Sequence, residues 1–156
     1  MKKVLIALDY DPSAEKVATL GFAMATAMEA ETTLLHVVSD PIYYRETEYS
    51  SIMGFTGFSN MTTYNLENQS ELRKSTQEFL NQTKQHLKDD TIQTLIKEGD
   101  FADSIRQAAN EINADVIVLG SHRRSWLEDV FSGNVTEKVL NESTIPLFII
   151  PTQAEN

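Results

Sequence analysis

Four short apolar runs, separated by stretches with helical spacing, constrain the fold of this chain more than any other feature. The runs are Val4–Leu8, Thr32–Val38, Asp115–Leu119 and Ile145–Ile150. Continuous apolar runs of this length are typical of strands that are buried on both faces of a parallel sheet. Residues Thr91–Ile96 predict a further strand, although their alternation is weak.

The gaps between these runs carry the spacing of amphipathic helices. Helices are predicted over Ala14–Ala30, Leu66–Leu87 and Phe101–Ile112, and after Gly133-Asn134. Strands that alternate with helices predict an α/β fold, an open five-stranded parallel sheet with helices on both faces. In the first helix the predicted buried stripe is Val17, Leu20, Gly21, Met24 and Met28.

Helix starts are predicted from the residues that commonly cap them. Asp11 or Ser13 is a candidate cap for the first helix, and Asp100 for the third.

The length of 156 residues fits one domain over 1–156. Residues 39–65 interrupt the pattern with prolines, tyrosines and glycines that follow no steady period. Long loops in compact domains often serve as lids, so this insert is interpreted either as a lid or as a plain surface excursion.

Charge and composition exclude several classes of function. The net charge of −10 argues against coating nucleic acid and against docking on anionic lipid, because both need clustered cations. The absence of cysteine excludes disulfides, thiolate metal sites and cysteine nucleophiles. No apolar run is long enough to span a membrane, and no signal peptide is recognisable, so a cytoplasmic location is expected. The same charge is compatible with one small anion held by backbone N–H groups.

Ligands of doubly wound sheets bind beyond the carboxyl ends of the strands, where the strand order reverses. Three segments are expected at that edge: Leu8-Asp9-Tyr10, Val37-Val38-Ser39 and Gly120-Ser121.

The segment Leu119–Leu140 is the most informative candidate for binding. A buried strand runs into Gly120, and Gly133 precedes a helix. The N-terminus of a helix offers unpaired N–H groups and a partial positive charge, and glycine allows close approach or a positive φ. The segment is therefore interpreted as a phosphate cradle, with a purely structural turn and helix start as the alternative.

The chain resembles the universal stress protein family over nearly all residues outside 41–65. The matching pieces are VLIALD (4–9), LLHVV (34–38), EGDFADSI (98–105), ADVIVLGSHRR (114–124), GNVTEKVL (133–140) and IPLFIIP (145–151). This resemblance implies a Rossmann-like sheet of the adenine nucleotide α-hydrolase-like group. It also implies a homodimer, commonly paired through the last strand, here 145–150.

One branch of that family binds ATP with the pattern G-x2-G-x9-G-(S/T). Gly120 and Gly133 match its first and third glycines, whereas Arg123 stands at the second and Asn134 at the Ser/Thr position. Arginine costs about 1 kcal/mol or more if its position needs a positive φ, yet it also binds phosphate. Asn134 can cap a helix about as well as serine. ATP or a related adenine nucleotide is therefore the expected ligand.

The resemblance also implies roles for residues outside the glycine pattern. Asp9 would face the ribose or the base, Val37 would offer backbone hydrogen bonds to adenine, and Ala7 would lie along the base. For Asp9 and Val37 the alternatives are a strand-end turn and plain core. His122 could contact a phosphate, or it could be solvated. Thr136 could reach a phosphate, or it could form a hydrogen bond within its own helix. Leu119 and Val135 flank the two glycines and complete the predicted site.

No metal site is predicted, because the three histidines have no ligand spacing and His36 is interpreted as a sheet residue with a satisfied hydrogen bond. Mg²⁺ could accompany ATP, held by phosphates with Asp9 or Asp11.

Catalytic signatures are not recognisable, neither a nucleophile elbow nor a P-loop. Three functions therefore stay open at this point. They are a dimeric nucleotide-binding stress regulator, a nucleotide-free dimeric interaction protein of the same family, and a slow nucleotide hydrolase.

Overall fold

Five parallel strands form a single sheet. They are β1 (Lys3–Leu8), β2 (Glu31–Val38), β3 (Gln93–Glu98), β4 (Val116–Gly120) and β5 (Leu147–Ile150). Their order in the sheet is β3-β2-β1-β4-β5, and every neighbouring pair is parallel. The predicted Rossmann-like α/β architecture is therefore confirmed.

The computed structural model describes residues 1–9, 13–38, 69–121 and 135–152. The predicted insert at 39–65 lies outside these residues, as does the segment 122–134.

Four helices connect the strands within the described residues. They are α1 (Ala14–Ala27), α2 (Gln69–Leu87), α3 (Phe101–Ile112) and α4 (Val135–Glu142). Side chains of α1 and α2 share one apolar cluster with one face of the sheet, and side chains of α3 and α4 share another cluster with the opposite face. The helices therefore cover both faces, as predicted.

The central strands are buried on both faces, which explains their continuous apolar runs. In β1, Val4 and Ile6 belong to the cluster with α1 and α2, whereas Leu5 between them belongs to the cluster with α3 and α4. All three side chains are fully buried. Because successive side chains of a strand point to opposite faces, only an unbroken apolar run satisfies both clusters.

Helix α1 packs close to the sheet at Gly21, where a Cβ atom would lie 2.9 Å from Val118 Cγ1. The buried stripe of α1 consists of Ala14, Val17, Ala18, Gly21 and Ala25. The prediction that Leu20 belongs to this stripe is wrong, because Leu20 is 45% exposed. Small residues at helical spacing, rather than the larger leucine beside them, form the contact.

Three strands begin later than their apolar patterns predicted, β3 and β5 by two residues and β4 by one. The carboxylate of Asp89 accepts a 2.8 Å hydrogen bond from the backbone N–H of Thr91, so a turn occupies the residues before Gln93. In the same way the backbone N–H of Ile145 donates to Ser143 Oγ at 2.9 Å, which places Ile145 in a turn before β5.

The two predicted helix caps differ in outcome. Asp100 caps α3, since its carboxylate accepts a 3.0 Å hydrogen bond from the backbone N–H of Asp103. Ser13 occupies the N-cap position of α1 without a capping hydrogen bond from its side chain.

None of the helices in the described ranges is long and apolar enough to cross a bilayer.

Candidate functional site

A cleft opens at the carboxyl edge of the sheet, between the ends of β1 and β4. The chain crosses from β1 toward β2 and β3 on one side and places β4 and β5 on the other, so the strand order reverses between β1 and β4. The cleft is partly enclosed and opens to solvent. Its position is the one at which doubly wound sheets bind ligands.

All the predicted site residues that the structure describes lie around this cleft. They come from β1 and the residue after it, from β2, from β4 and from the start of α4: Ala7, Asp9, Val37, Leu119, Gly120, Val135 and Thr136. The four other predicted residues lie outside the described residues: His122, Arg123, Gly133 and Asn134. The fold therefore brings together residues that are more than 100 positions apart in sequence.

Gly120 ends β4 at a point where a side chain would make tight contacts with its neighbours. A Cβ atom there would lie 3.0 Å from Val17 Cγ2 and 3.0 Å from Thr152 Cγ2. From the sequence, glycine was expected here for close approach to a phosphate or for a positive φ, whereas the structure shows close packing against Val17 and Thr152 without a positive φ. Among the described glycines, only Gly99 has a positive φ.

Thr136 joins the first turn of α4 to the end of β4. Its hydroxyl group donates a 2.8 Å hydrogen bond to the carbonyl oxygen of Gly120. This partner is neither a phosphate nor the helix of Thr136 itself, the two possibilities that the sequence offered. The bond holds the N-terminus of α4, with its N–H groups, beside the cleft.

Thr152 is a cleft residue that the sequence did not predict. Its backbone N–H donates a 3.0 Å hydrogen bond to Ser121 Oγ, and the backbone N–H of Ser121 donates to Ile150 O at 2.9 Å. Lys16 Nζ donates to the carbonyl oxygen of Pro151 at 2.8 Å. The segment after β5 is thereby fastened to the end of β4 and to α1. The rule that ligands lie beyond strand ends could have identified Thr152, had it been applied to β5 as well.

The walls of the cleft are largely apolar. Leu35 and Val37 alternate along β2 and face α3, which contributes Phe101 and Ile105 from its first two turns. The spacing of two along β2 and of four along α3 was visible in the sequence, but it indicates a buried core equally well. Apolar walls with polar groups at one end suit a flat, mostly apolar ring system that carries a polar substituent.

His36 lies behind the cleft, fully buried in β2. Its Nδ1 lies 2.8 Å from the carbonyl oxygen of Leu8, and its ring meets Phe79 edge to face with centroids 6.0 Å apart. Desolvation by burial lowers the pKa of His36, while the hydrogen bond to Leu8 and the charge of Asp9 oppose that shift. The bond to Leu8 satisfies Nδ1, so the prediction that His36 is a satisfied sheet residue is confirmed for one of its two ring nitrogens.

Within the described ranges, no group of three or more histidine and carboxylate side chains is placed to hold a metal ion. Of the two carboxylates considered for Mg²⁺, Asp9 lies at the cleft and Asp11 lies outside the described residues. A metal at this edge would therefore need ligands from a bound molecule as well as from Asp9.

Comparison with known proteins gives relatives along the whole length. Universal stress protein MJ0577 from Methanocaldococcus jannaschii is 26% identical over 153 residues, covering 96% of this chain and 94% of the relative. The solved structure of MJ0577 superposes with a TM-score of 0.70 at 23% identity, covering 99% of this chain and 98% of that one. At this identity the structural match shows a shared fold.

Two further structures of the same fold are nucleotide complexes. A universal stress protein in complex with cAMP has a TM-score of 0.61 and 18% identity, covering 96% of this chain and 95% of that chain. The universal stress protein from Archaeoglobus fulgidus in complex with dAMP has a TM-score of 0.58 and 16% identity, with coverage of 96% and 97%.

The model of the universal stress protein family matches residues 1–151. The match includes every strand and helix of the sheet described above, and the sequence motifs indicated the same relationship. This chain belongs to the universal stress protein family.

Proposed function

We propose that this protein binds an adenine nucleotide, ATP or a close relative, in the cleft between β1 and β4, and acts as a nucleotide-dependent stress regulator. One observation carries the proposal. Seven residues predicted from the sequence and from its family resemblance, spread from Ala7 to Thr136, line one cleft at the switch point of the sheet. The cAMP and dAMP complexes of two proteins with this fold support an adenine nucleotide as the ligand class.

The electrostatics of the cleft favour an anion despite the net charge of −10. Helices α1 and α4 each contribute a residue of their first turn to the lining, Ala14 and Val135, whereas the N-terminus of α3 is already capped by the carboxylate of Asp100. The N-terminal end of a helix carries about half a positive charge and free N–H groups. Such short-range fields act on a phosphate group that has already entered, whereas the overall charge gives no long-range steering.

The cleft also fits the two ends of a nucleotide. Its apolar side, with Leu35 and Val37, suits the purine ring, and Gly120 with the start of α4 suits the phosphates. Bound phosphates together with Asp9 would hold Mg²⁺. In this proposal Arg123 offers a guanidinium group and Asn134 a side-chain amide to the phosphates.

As a binding module, the protein would respond to its ligand rather than consume it. Ligand binding would shift the population toward one conformation, and the size of the shift would be set by the difference in the ligand's affinity for the two conformations. A nucleotide-free interaction protein and a slow hydrolase are the alternatives that the following experiment separates.

The test measures nucleotide that co-purifies with the protein and nucleotide that stabilises it. Denatured, freshly purified protein is analysed by chromatography and mass spectrometry, and stripped protein is melted with ATP, AMP or GTP. At 100 times Kd a bound ligand adds about 2.7 kcal/mol to the free energy of unfolding. Adenine nucleotide in the extract, or stabilisation by ATP and AMP beyond that by GTP, supports the proposal. Absence of both overturns it in favour of the nucleotide-free alternative, and sustained phosphate release would indicate the hydrolase.

A variant that fills the cleft provides the matched control. Ala7 lies in the cleft, and Ala27 is exposed at the end of α1. The substitution Ala7→Leu is expected to abolish stabilisation by ATP, whereas Ala27→Leu leaves it unchanged. Equal loss in both variants would contradict binding at this cleft.

We further propose that β5 pairs with β5 of a second copy of this chain. Strand β5 lies at one end of the sheet, so one row of its N–H and C=O groups has no neighbouring strand within the described residues. Phe148 is 39% exposed and Ile149 is 38% exposed. Consecutive residues of a strand point to opposite faces, so both faces of this edge carry a large exposed apolar side chain. A second identical edge would cover both at once in a two-fold interface.

Sedimentation of the full chain tests this dimer. The wild type is expected to sediment as a dimer, Phe148→Lys as a monomer, and Leu20→Lys as a dimer. Leu20 is a suitable control because it is an exposed apolar residue on α1 rather than on the edge strand. A monomeric wild type would refute the pairing.

The cytoplasmic location stays a prediction from the sequence.

A further inference from the structure

A buried hydrogen bond links the interior of β2 to the residue that enters the cleft from β1. His36 Nδ1 lies 2.8 Å from the carbonyl oxygen of Leu8, and Leu8 and His36 are register partners at the ends of β1 and β2. Leu8 is followed directly by Asp9, which lines the cleft. His36 itself does not line the cleft, although its chain neighbours Leu35 and Val37 do.

The chemistry of the acceptor fixes the state of the imidazole. A carbonyl oxygen can only accept a hydrogen bond, so Nδ1 of His36 must carry the proton. Burial lowers the pKa of His36, which keeps the ring neutral. The ring is therefore the neutral tautomer that is protonated at Nδ1.

Covalent geometry transmits this bond to Asp9. The structure has no cis peptide bond among its described residues, so the Leu8 carbonyl and the Asp9 N–H point in opposite directions within one rigid plane. The carbonyl is directed at His36, which contacts Phe79 of α2 on one face of the sheet. Turning this peptide would break the bond and leave a buried carbonyl oxygen without its donor, which is costly.

We propose that His36 is a positioning residue, whose Nδ1–H bond to Leu8 O fixes the Leu8–Asp9 peptide and thereby the orientation of Asp9 toward a ligand in the cleft. This inference rests on the proposed nucleotide site. It assigns to a residue outside the cleft a part in how the cleft binds.

Two substitutions separate positioning from packing. In His36→Asn the side-chain amide nitrogen can take the place of Nδ1 and donate to Leu8 O. In His36→Leu an apolar side chain keeps much of the volume but offers no donor. The affinity for AMP is measured by calorimetry well below the melting temperature, where circular dichroism shows each variant to be fully folded.

The expected result is that His36→Asn stays close to wild type, while His36→Leu binds AMP about 3- to 10-fold more weakly, the range expected for one net hydrogen bond. In an Asp9→Asn background the His36→Leu effect should shrink, since both changes act through the same group. A merely structural role would instead give equal losses in both His36 variants, or additive losses with Asp9→Asn, and either outcome would overturn the proposal.

Nuclear magnetic resonance provides a readout that does not depend on nucleotide binding. Long-range ¹H–¹⁵N spectra of the wild type should show a neutral ring protonated at Nδ1. The amide signal of Asp9 should move in His36→Leu and return toward its wild-type position in His36→Asn. A ring protonated at Nε2, or an Asp9 amide that ignores both substitutions, refutes the positioning role even if nucleotide binds. Failure of AMP to bind with these signals intact refutes the proposed function alone.

Discussion

The hydroxyl group of Thr136 and the carbonyl oxygen of Gly120 are joined by a 2.8 Å hydrogen bond across 16 residues of sequence. This bond ties the first turn of α4 to the end of β4. Both termini of the segment between them therefore reach the same edge of the cleft. The bond therefore holds Gly120, the first glycine of the family's pattern, beside the start of α4.

Replacing Thr136 by valine tests the importance of that bond. Thr136→Val keeps the shape but removes the donor, leaving a partly buried carbonyl oxygen with one partner fewer. We expect the free energy of unfolding to fall by about 1 kcal/mol and the affinity for ATP to fall about 3- to 10-fold. Urea denaturation and calorimetry measure the two effects. Thr136→Ser, which keeps the hydroxyl, should recover most of both, and a serine variant as impaired as the valine variant would contradict the role of the bond.

Gly120→Ala should destabilise the protein because its Cβ would lie 3.0 Å from both Val17 Cγ2 and Thr152 Cγ2. Overpacking of this kind costs about 1–3 kcal/mol in the free energy of unfolding. Adding Val17→Ala makes room beside the new methyl group. The double variant is then expected to be more stable than the sum of the two single effects. Strict additivity in urea denaturation would show that Gly120 is not held by this contact.

Asp9→Asn should weaken adenosine binding about tenfold, since hydrogen bonds to a charged group are stronger than neutral ones. Asn can still accept a hydrogen bond, so binding is reduced rather than abolished. Adenosine lacks phosphates, and comparison with ATP therefore separates recognition of the nucleoside from charge repulsion. Tighter ATP binding with unchanged adenosine binding would mean that Asp9 only repels the phosphates.

His36 should make the stability of the fold depend on pH. Its pKa in the folded state is lowered from the ordinary histidine value of 6.5 because burial disfavours the charged ring. Below pH 6.5 the unfolded chain therefore takes up a proton that the folded chain does not. This contribution to stability is complete above that pH and is lost as the pH falls toward the folded pKa, with a slope of up to about 1.4 kcal/mol per pH unit.

Urea denaturation of the wild type and His36→Asn between pH 8 and pH 5 isolates this effect. All other ionisable side chains, including Asp9 and the exposed pair His86–Glu15, are present in both proteins. The stability difference between them should shrink or reverse as the pH falls. Parallel curves would show that His36 titrates alike in both states.

The fold could be predicted from the sequence because burial on both faces leaves an unambiguous pattern. Where apolar runs alternate with helices, an unbroken run such as Val4–Leu8 indicates a strand in the interior of a parallel sheet. Element ends were less predictable, since single hydrogen bonds decide them. The bond between Asp89 and Thr91 displaces the start of β3, and nothing in the apolar pattern records it.

The features of the candidate site also differ in whether they could be predicted from the sequence. Asp9 and Gly120 could be placed from the sequence because strand ends in a parallel sheet share an edge. Thr152 could have been placed by the same rule, because it follows β5. The His36–Leu8 bond could not, because it depends on a contact between distant segments that leaves no local pattern. For Leu20 the sequence pattern gave a wrong prediction. Helical spacing predicted that this large apolar residue packs on the sheet, but small residues such as Gly21 make that contact and Leu20 is exposed.

The most direct test of the central claim is a titration of ¹⁵N-labelled full-length protein with ATP, followed through its amide signals. If the nucleotide binds at the switch point of the sheet, the amides of Ala7, Val37, Gly120 and Val135 should shift together with one Kd. Those of Asn110 and Thr144, in a polar surface pocket elsewhere, should stay in place. No shifts at millimolar ATP, or shifts confined to residues away from the cleft, would contradict nucleotide binding at this site.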